Sequence, residues 1–302
     1  MKTALVFPGQ GSQSVGMGKD FAEKYLDEAS AILGFDLKKI CLEGPAEELQ
    51  KTEITQPAIL TVSIAALELL KTKDSRLITS SVAGHSLGEY SALVAAGSIA
   101  FEDAVKIVHL RGKFMQEAVP AGEGAMAAVL GADNNVIREV CAEIGNVWPA
   151  NFNSPGQVVI SGKKEAVDTA GGKLKERGAK RIIPLAVSAP FHCPLMQPAA
   201  DKLKIELDKI EIKDAQIPVV ANVTSDYATK GAEIRTLLYK QVTSPVLWED
   251  SVKKMVEGGV KSFIEVGAGK VLSGLVKKIK KEARVYNIDN TETLEKFKSE
   301  CR

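Results

Sequence analysis

Gly84-His85-Ser86-Leu87-Gly88 sets a serine between two glycines in a GxSxG pattern. Such a serine can attack a carbonyl carbon if the backbone turns sharply enough to hold its hydroxyl clear of the strand that delivers it. Flanking glycines remove the Cβ atoms that would obstruct that turn. The N–H of Leu87, opening the next helix, would then face the oxyanion formed as the serine adds to the carbonyl. The pattern alone occurs in many unrelated loops, so its setting decides. Here a strand is predicted over residues 77–83 and a helix over 89–96, the strand–turn–helix context of a nucleophile elbow.

A serine nucleophile needs a base, and the chain has three histidines. His85 adjoins the nucleophile, where the turn should point its ring away. His109 falls on a predicted helix with Glu102, Lys106, Lys113 and Gln116 at helical spacings, which puts it on the solvent face. His192 lies in a loop, Ser188-Ala189-Pro190-Phe191-His192-Cys193-Pro194, after a predicted core strand, where catalytic groups usually sit. By elimination His192 is the base. No Asp or Glu stands out as a third member, which leaves a backbone carbonyl as the alternative group to orient the imidazole. Arg111 is the second signal. Helical spacing aligns it with Ala104, Val108 and Met115 on an apolar face. A buried guanidinium left unpaired costs about 3–5 kcal/mol, so it must meet an anion. Two partners are open: an internal Asp or Glu, or a substrate carboxylate gripped by the planar fork.

The elements that must position these groups alternate. A buried strand over 3–7 runs into the glycine-rich loop Pro8-Gly9-Gln10-Gly11-Ser12-Gln13, and a helix follows from about Lys19. Residues 57–70 read as a core helix with Pro57 in its first turn, and 102–116 as another helix. Alternating strands and helices imply an α/β core with a mostly parallel sheet, here α/β-hydrolase-like. Residues 124–187 have another rhythm. Strand 126–130, helix 134–144, strand 147–152, turn 153–156, strand 157–161, helix 164–177 and strand 181–187 give βαββαβ, the order of a ferredoxin-like unit. The expected division is a catalytic domain of residues 1–123 and 189–302, with 124–188 as an inserted ferredoxin-like subdomain.

Composition narrows the partners. The 302 residues carry 39 basic and 38 acidic side chains, a net charge of +1 that offers no global field for nucleic acid. Basic residues do cluster locally: seven between Lys261 and Arg284 against Glu265 and Glu282, and Lys173, Lys175, Arg177, Lys180 and Arg181 in the inserted unit. Such runs are usually solvated helix faces. Cys41, Cys141, Cys193 and Cys301 form no CxxC pair, so neither a metal site nor a disulfide framework is expected, and a reducing cytoplasm fits. The apolar stretch 57–70 is broken by Thr61, Ser63 and Glu68 and falls short of a membrane span.

Taken in order, Phe7-Pro8-Gly9-Gln10-Gly11-Ser12-Gln13, Thr55-Gln56-Pro57-Ala58, Gly84-His85-Ser86-Leu87-Gly88-Glu89-Tyr90, Arg111-Gly112, Asn153-Ser154-Pro155-Gly156-Gln157, Phe191-His192 and Pro245-Val246-Leu247-Trp248 span essentially the whole chain. In this order the chain closely resembles the malonyl-CoA:acyl carrier protein transacylases of bacterial fatty-acid synthesis. The resemblance implies transfer of malonyl from malonyl-CoA to the phosphopantetheine thiol of acyl carrier protein through a malonyl-serine. It implies that Gln10 joins Leu87 in the oxyanion hole, that Arg111 grips the malonyl carboxylate, and that the Gln241 carbonyl orients His192. It also places Gln56 and Asn153 near the pocket and associates Leu87 and Phe191 with malonyl over methylmalonyl. One departure is Pro190, where small residues are common and which would stiffen the loop. No metal or cofactor is implied, since the coenzyme A thioester is substrate and the phosphopantetheine belongs to the partner. A cytoplasmic monomer without nucleic-acid or membrane partners is expected. The competing readings are a serine thioesterase or hydrolase, a transacylase for another acyl group such as acetyl, and a catalytically silent carrier-protein docking module. Arg111 discriminates against a plain esterase, and the intact Ser86 and His192 against a silent module.

Overall fold

The computed structural model describes residues 2–73, 78–187 and 189–300. Among them, the strands are β1 (Lys2–Phe7), β2 (Thr79–Gly84), β3 (Gly124–Leu130), β4 (Val147–Ser154), β5 (Gln157–Lys163), β6 (Arg181–Pro184), β7 (Val219–Val220), β8 (Tyr227–Ala228), β9 (Val260–Val266) and β10 (Arg284–Ile288). They make two sheets. The larger runs β10-β9-β1-β2-β7-β8 and is parallel throughout except for the β7–β8 edge pair. The smaller, β4-β5-β3-β6, is wholly antiparallel.

The parallel sheet explains the apolar opening of the chain. β1 lies between β9 and β2, and helices cover both faces, so Ala4 to Phe7 are buried without alternation. One face packs on the helix Thr52–Lys73 and its neighbours, and the other on Trp248, Val252, Leu272 and Val276. The smaller sheet has a core of its own, in which Val129, Phe152, Val158 and Ile160 meet Ile137, Val140, Val167 and Leu174 of two helices. It is tied to the larger body where β4 meets Val246: Phe152 N–H donates to Val246 O and Val246 N–H to Ala150 O, each at 2.9 Å. The helix Thr52–Lys73 is long and apolar enough to span a bilayer, but 83% of its apolar window is buried inside the protein. It is a core helix.

Several boundaries differ from the sequence reading. Asn153 and Ser154 continue β4, leaving only Pro155 and Gly156 as the turn, and β6 ends at Pro184 instead of 187. Leu77, expected to open β2, lies outside the described residues. Pro57 is not in a first turn, because its helix begins at Thr52. Pro57 has no N–H to give the carbonyl four residues back, Glu53 O. His109 Nδ1 donates to that carbonyl at 2.8 Å and its ring rests on Phe35, with centroids 5.6 Å apart. His109 is therefore half-buried between helices and does not face solvent.

Candidate active site

The site forms at the C-terminal edge of the parallel sheet, where β1 runs into Gln10 and β2 into Ser86. This is the edge at which open α/β sheets bind ligands. The turn after β2 depends on its glycines. A Cβ on Gly84 would run into the backbone of Gly88, and one on Gly88 into Phe7 O. Ser86 itself is forced into the left-handed region, at φ 54°. The helix Gly88–Ala95 starts directly after Leu87, which occupies its N-cap position and is 1% exposed.

Ser86 Oγ lies 2.7 Å from His192 Nε2, and His192 Nδ1 lies 2.9 Å from Gln241 O. A carbonyl oxygen only accepts, so Nδ1 carries the proton and Nε2 presents its lone pair to the serine hydroxyl. Burial, reinforced by the neighbouring Arg111 charge, pushes His192 down to about 3. The imidazole is thus neutral, the state in which it can take a proton.

Arg111 is 1% exposed on the helix Phe101–Glu117. That helix approaches Thr52–Lys73 closely, because Gly112 presents no Cβ to the Thr52 and Glu53 backbone. The guanidinium donates from one terminal nitrogen to Gln56 Oε1 (2.8 Å) and from the other to Gln241 Oε1 and Ser86 Oγ (each 3.0 Å). It also lies 5.6 Å from the Tyr90 ring centroid. None of these partners carries charge, so the internal Asp or Glu left open by the sequence is absent from its described hydrogen bonds.

Gln10, Gln56, Ser86, Arg111, Phe191 and His192 line one cavity of about 110 Å³. Its remaining wall includes His85 and the apolar Met115, Met126, Leu185 and Val187. Gln241 stands behind this wall with its side chain fully buried. Asn153 is set back as well: its Oδ1 accepts from His85 Nε2 at 2.8 Å, and Asn151 of the same strand lines the cavity instead. The His85 ring, held by Asn153, packs against Trp248, with centroids 5.8 Å apart.

Two further residues were not given roles from sequence. Asn222, after β7, accepts from Ser86 N–H through Oδ1 and donates from Nδ2 to Gly84 O, both at 2.7 Å. Glu89, 2% exposed, accepts from Asn222 N–H at 3.0 Å and from Gln241 Nε2 at 2.8 Å. Burial pushes the Glu89 carboxyl up to about 7 against these hydrogen bonds and Arg111, which pull it down. The single charged residue of the helix Gly88–Ala95, three residues past the nucleophile, was the signal available for Glu89. For Asn222 there was only a polar residue closing an apolar run.

The chain matches the family model described as acyl transferase domain over residues 4–300. It is 52% identical over 304 residues to the malonyl CoA-acyl carrier protein transacylase of Bacillus subtilis (strain 168), covering 97% of this chain and 95% of the relative. Among solved structures, an acyl carrier protein S-malonyltransferase from Vibrio cholerae superimposes with a TM-score of 0.96 at 46% identity, covering 98% of this chain and 100% of that one. A malonyl-transacylase solved in complex with a type II polyketide acyl-carrier protein gives 0.95 at 48% identity, with 98% of each chain covered.

Proposed function

Because the chain belongs to the acyl transferase domain family, and within it to the malonyl-CoA:acyl carrier protein transacylases, we infer that it moves malonyl from malonyl-CoA to the phosphopantetheine thiol of acyl carrier protein. It is an acyltransferase that supplies the malonyl unit for fatty-acid synthesis. The observation that carries the finer mechanism is the Ser86–His192 pair at 2.7 Å, with the Arg111 fork, directly hydrogen-bonded to no carboxylate among the described residues, 3.0 Å from the same hydroxyl.

In our reading, His192 Nε2 takes the Ser86 proton as Oγ bonds to the thioester carbonyl carbon. The oxyanion is received by the backbone N–H groups of Leu87 and Gln10. The carbon–sulfur bond then breaks, and coenzyme A leaves as a thiolate that collects the proton from His192. The second half runs in reverse: His192 takes the proton of the carrier thiol, sulfur bonds to the malonyl carbon, and Ser86 recovers its proton. The malonyl carboxylate pairs with Arg111, with Gln56 and Gln241 bracing the fork. That pairing has a second effect. Neutralising Arg111 removes one of the forces that depress His192, so the malonyl group itself eases formation of the imidazolium.

The apolar wall of Met115, Met126, Leu185, Val187 and Phe191 supports transfer over hydrolysis, since it offers water few partners. Phe191 and Leu87 are read as favouring malonyl over bulkier branched acyl groups. Asn153 serves at one remove, by holding His85. These steps call for no metal or redox group. We read the parallel-sheet body, residues 1–123 and 189–302, as an α/β-hydrolase-like catalytic domain working in the cytoplasm as a monomer, and 124–188 as a ferredoxin-like insertion.

Intact-mass measurement after mixing with malonyl-CoA, then with holo acyl carrier protein, tests the reading. A malonyl adduct on Ser86 that is discharged to the carrier is expected. No adduct, or one discharged only to water, would overturn it.

A further inference from the structure

Behind the reacting atoms lies a layer of buried amides centred on one carboxylate. Gln241 Nε2 donates to Glu89 Oε2 at 2.8 Å and to Ser86 O at 3.0 Å. A backbone carbonyl offers only lone pairs, and Glu89 Oε2 already accepts the Asn222 N–H, so the amide nitrogen has to face them. The amide oxygen is thereby turned to the opposite side, where it accepts from Arg111 at 3.0 Å. Were the amide free to flip, it would present hydrogens to a guanidinium that has only hydrogens to give, and the fork would be driven from its place. The same Glu89 oxygen accepts from the backbone N–H of Asn222, whose side chain brackets the strained serine by bonding Gly84 O and Ser86 N–H. One carboxylate thus ties the turn after β7 and the end of the helix Gly231–Gln241 to the nucleophile elbow.

We propose that Glu89 is a positioning residue for acyl recognition: by locking the Gln241 amide it aims the Arg111 fork at the carboxylate of the incoming acyl group. The inference rests on the malonyl-transfer reading above. It assigns Glu89 no contact with substrate and no proton transfer. It acts through Gln241, and its loss must register as a loss of selectivity for the charged acyl group.

The experiment compares Ser86 acylation by malonyl-CoA and by acetyl-CoA, read by intact mass, in five proteins. These are the wild type, Glu89→Leu, Glu89→Gln, Gln241→Ala and the Glu89→Leu/Gln241→Ala double variant. Glu89→Leu is expected to lower the malonyl-to-acetyl rate ratio by about tenfold, mid-range for coupled neighbours. Glu89→Gln, whose amide oxygen can replace Oε2, is expected to recover most of that ratio. In the Gln241→Ala background, Glu89→Leu is expected to shift the ratio no further. An unchanged ratio in Glu89→Leu, or an equal further drop in the double variant, overturns the proposal. Should Glu89→Leu not fold, a Glu89→Gln protein as unselective as Gln241→Ala overturns it instead. A wild type that acquires no malonyl adduct at all is the separate failure of the functional reading, and this inference would fall with it.

Discussion

Replacing Arg111 by alanine isolates what the buried charge contributes. The side chain is 1% exposed, and its described hydrogen bonds go to Gln56, Gln241 and Ser86, all uncharged. Glu89 reaches it only through the Gln241 amide, so a carboxylate bound directly to the fork is what malonyl would bring. Removing one partner of a buried, hydrogen-bonded charge pair costs about 2–5 kcal/mol, or roughly 30- to 5,000-fold in acylation by malonyl-CoA. Acetyl carries no carboxylate and loses only the effect of one N–H donated to Ser86 Oγ. Its acylation should change by no more than about tenfold, the worth of one ordinary hydrogen bond. The variant also strands Gln56 Oε1 and Gln241 Oε1, at about 1–3 kcal/mol for each acceptor that stays dry. Thermal unfolding must therefore accompany the kinetics, so that selectivity is read on folded protein. The assay is a rapid-quench time course of the Ser86 adduct by intact mass with each thioester. Equal losses for malonyl and acetyl would refute the reasoning and make Arg111 a structural cation.

Ser86→Ala deletes one hydroxyl at a turn held by Gly84, Gly88 and Asn222, so it should fold yet form no malonyl adduct; turnover in this variant would end the serine-ester mechanism. His192→Ala should retain only the residual rate of the oxyanion hole and binding, several orders of magnitude below wild type. His192 also leaves a signature in stability. Its folded value of about 3 lies below the ordinary 6.5, so the unfolded chain binds more protons between those values and stability falls as pH drops through that window. The gap in unfolding temperature between wild type and His192→Ala should therefore narrow from about pH 7.5 to about pH 5, and a constant gap would contradict the assignment. For the carrier, Lys164 and Lys175 line a groove that shares Met126, Leu185 and Val187 with the catalytic cavity. Reversing both to Glu should slow transfer to acyl carrier protein more than acylation and flatten its salt dependence near about 0.15 M, where the Debye length is about 8 Å. Unchanged transfer at low salt would move the docking surface elsewhere.

The basic clusters show why charge counted along a chain is a poor guide to a surface. Between Lys261 and Arg284, Glu265 is fully buried and accepts from the N–H groups of Leu272 and Ser273. Lys277 folds back onto Ala283 O, and Lys280 pairs with Glu282. Beside the smaller sheet Lys173 pairs with Glu143 and Arg177 with Glu139. Lys175 borders the groove continuous with the cavity, and spacing alone could not distinguish it from its neighbours.

What the sequence determined by itself was local. The need for glycine at 84 and 88 follows from a turn a few residues long, and the burial of Arg111 from the helical period of its own segment. The order βαββαβ across residues 124–184 was legible because each strand and helix carries its own hydrophobic period. His192 emerged only because so few histidines compete for the role. Tertiary structure decided the rest, because the deciding partners lie on other segments. The group that His192 Nδ1 meets is a backbone carbonyl 49 residues away, and carbonyls are present at every position, so no residue type announces it. Asn222 meets Ser86 across 136 residues, and Glu89 meets Gln241 across 152. His109 was assigned to solvent from the polar residues of its own helix. The carbonyl that holds it was left free by a proline on another helix, and only the packing of the two helices brings His109 within reach of it.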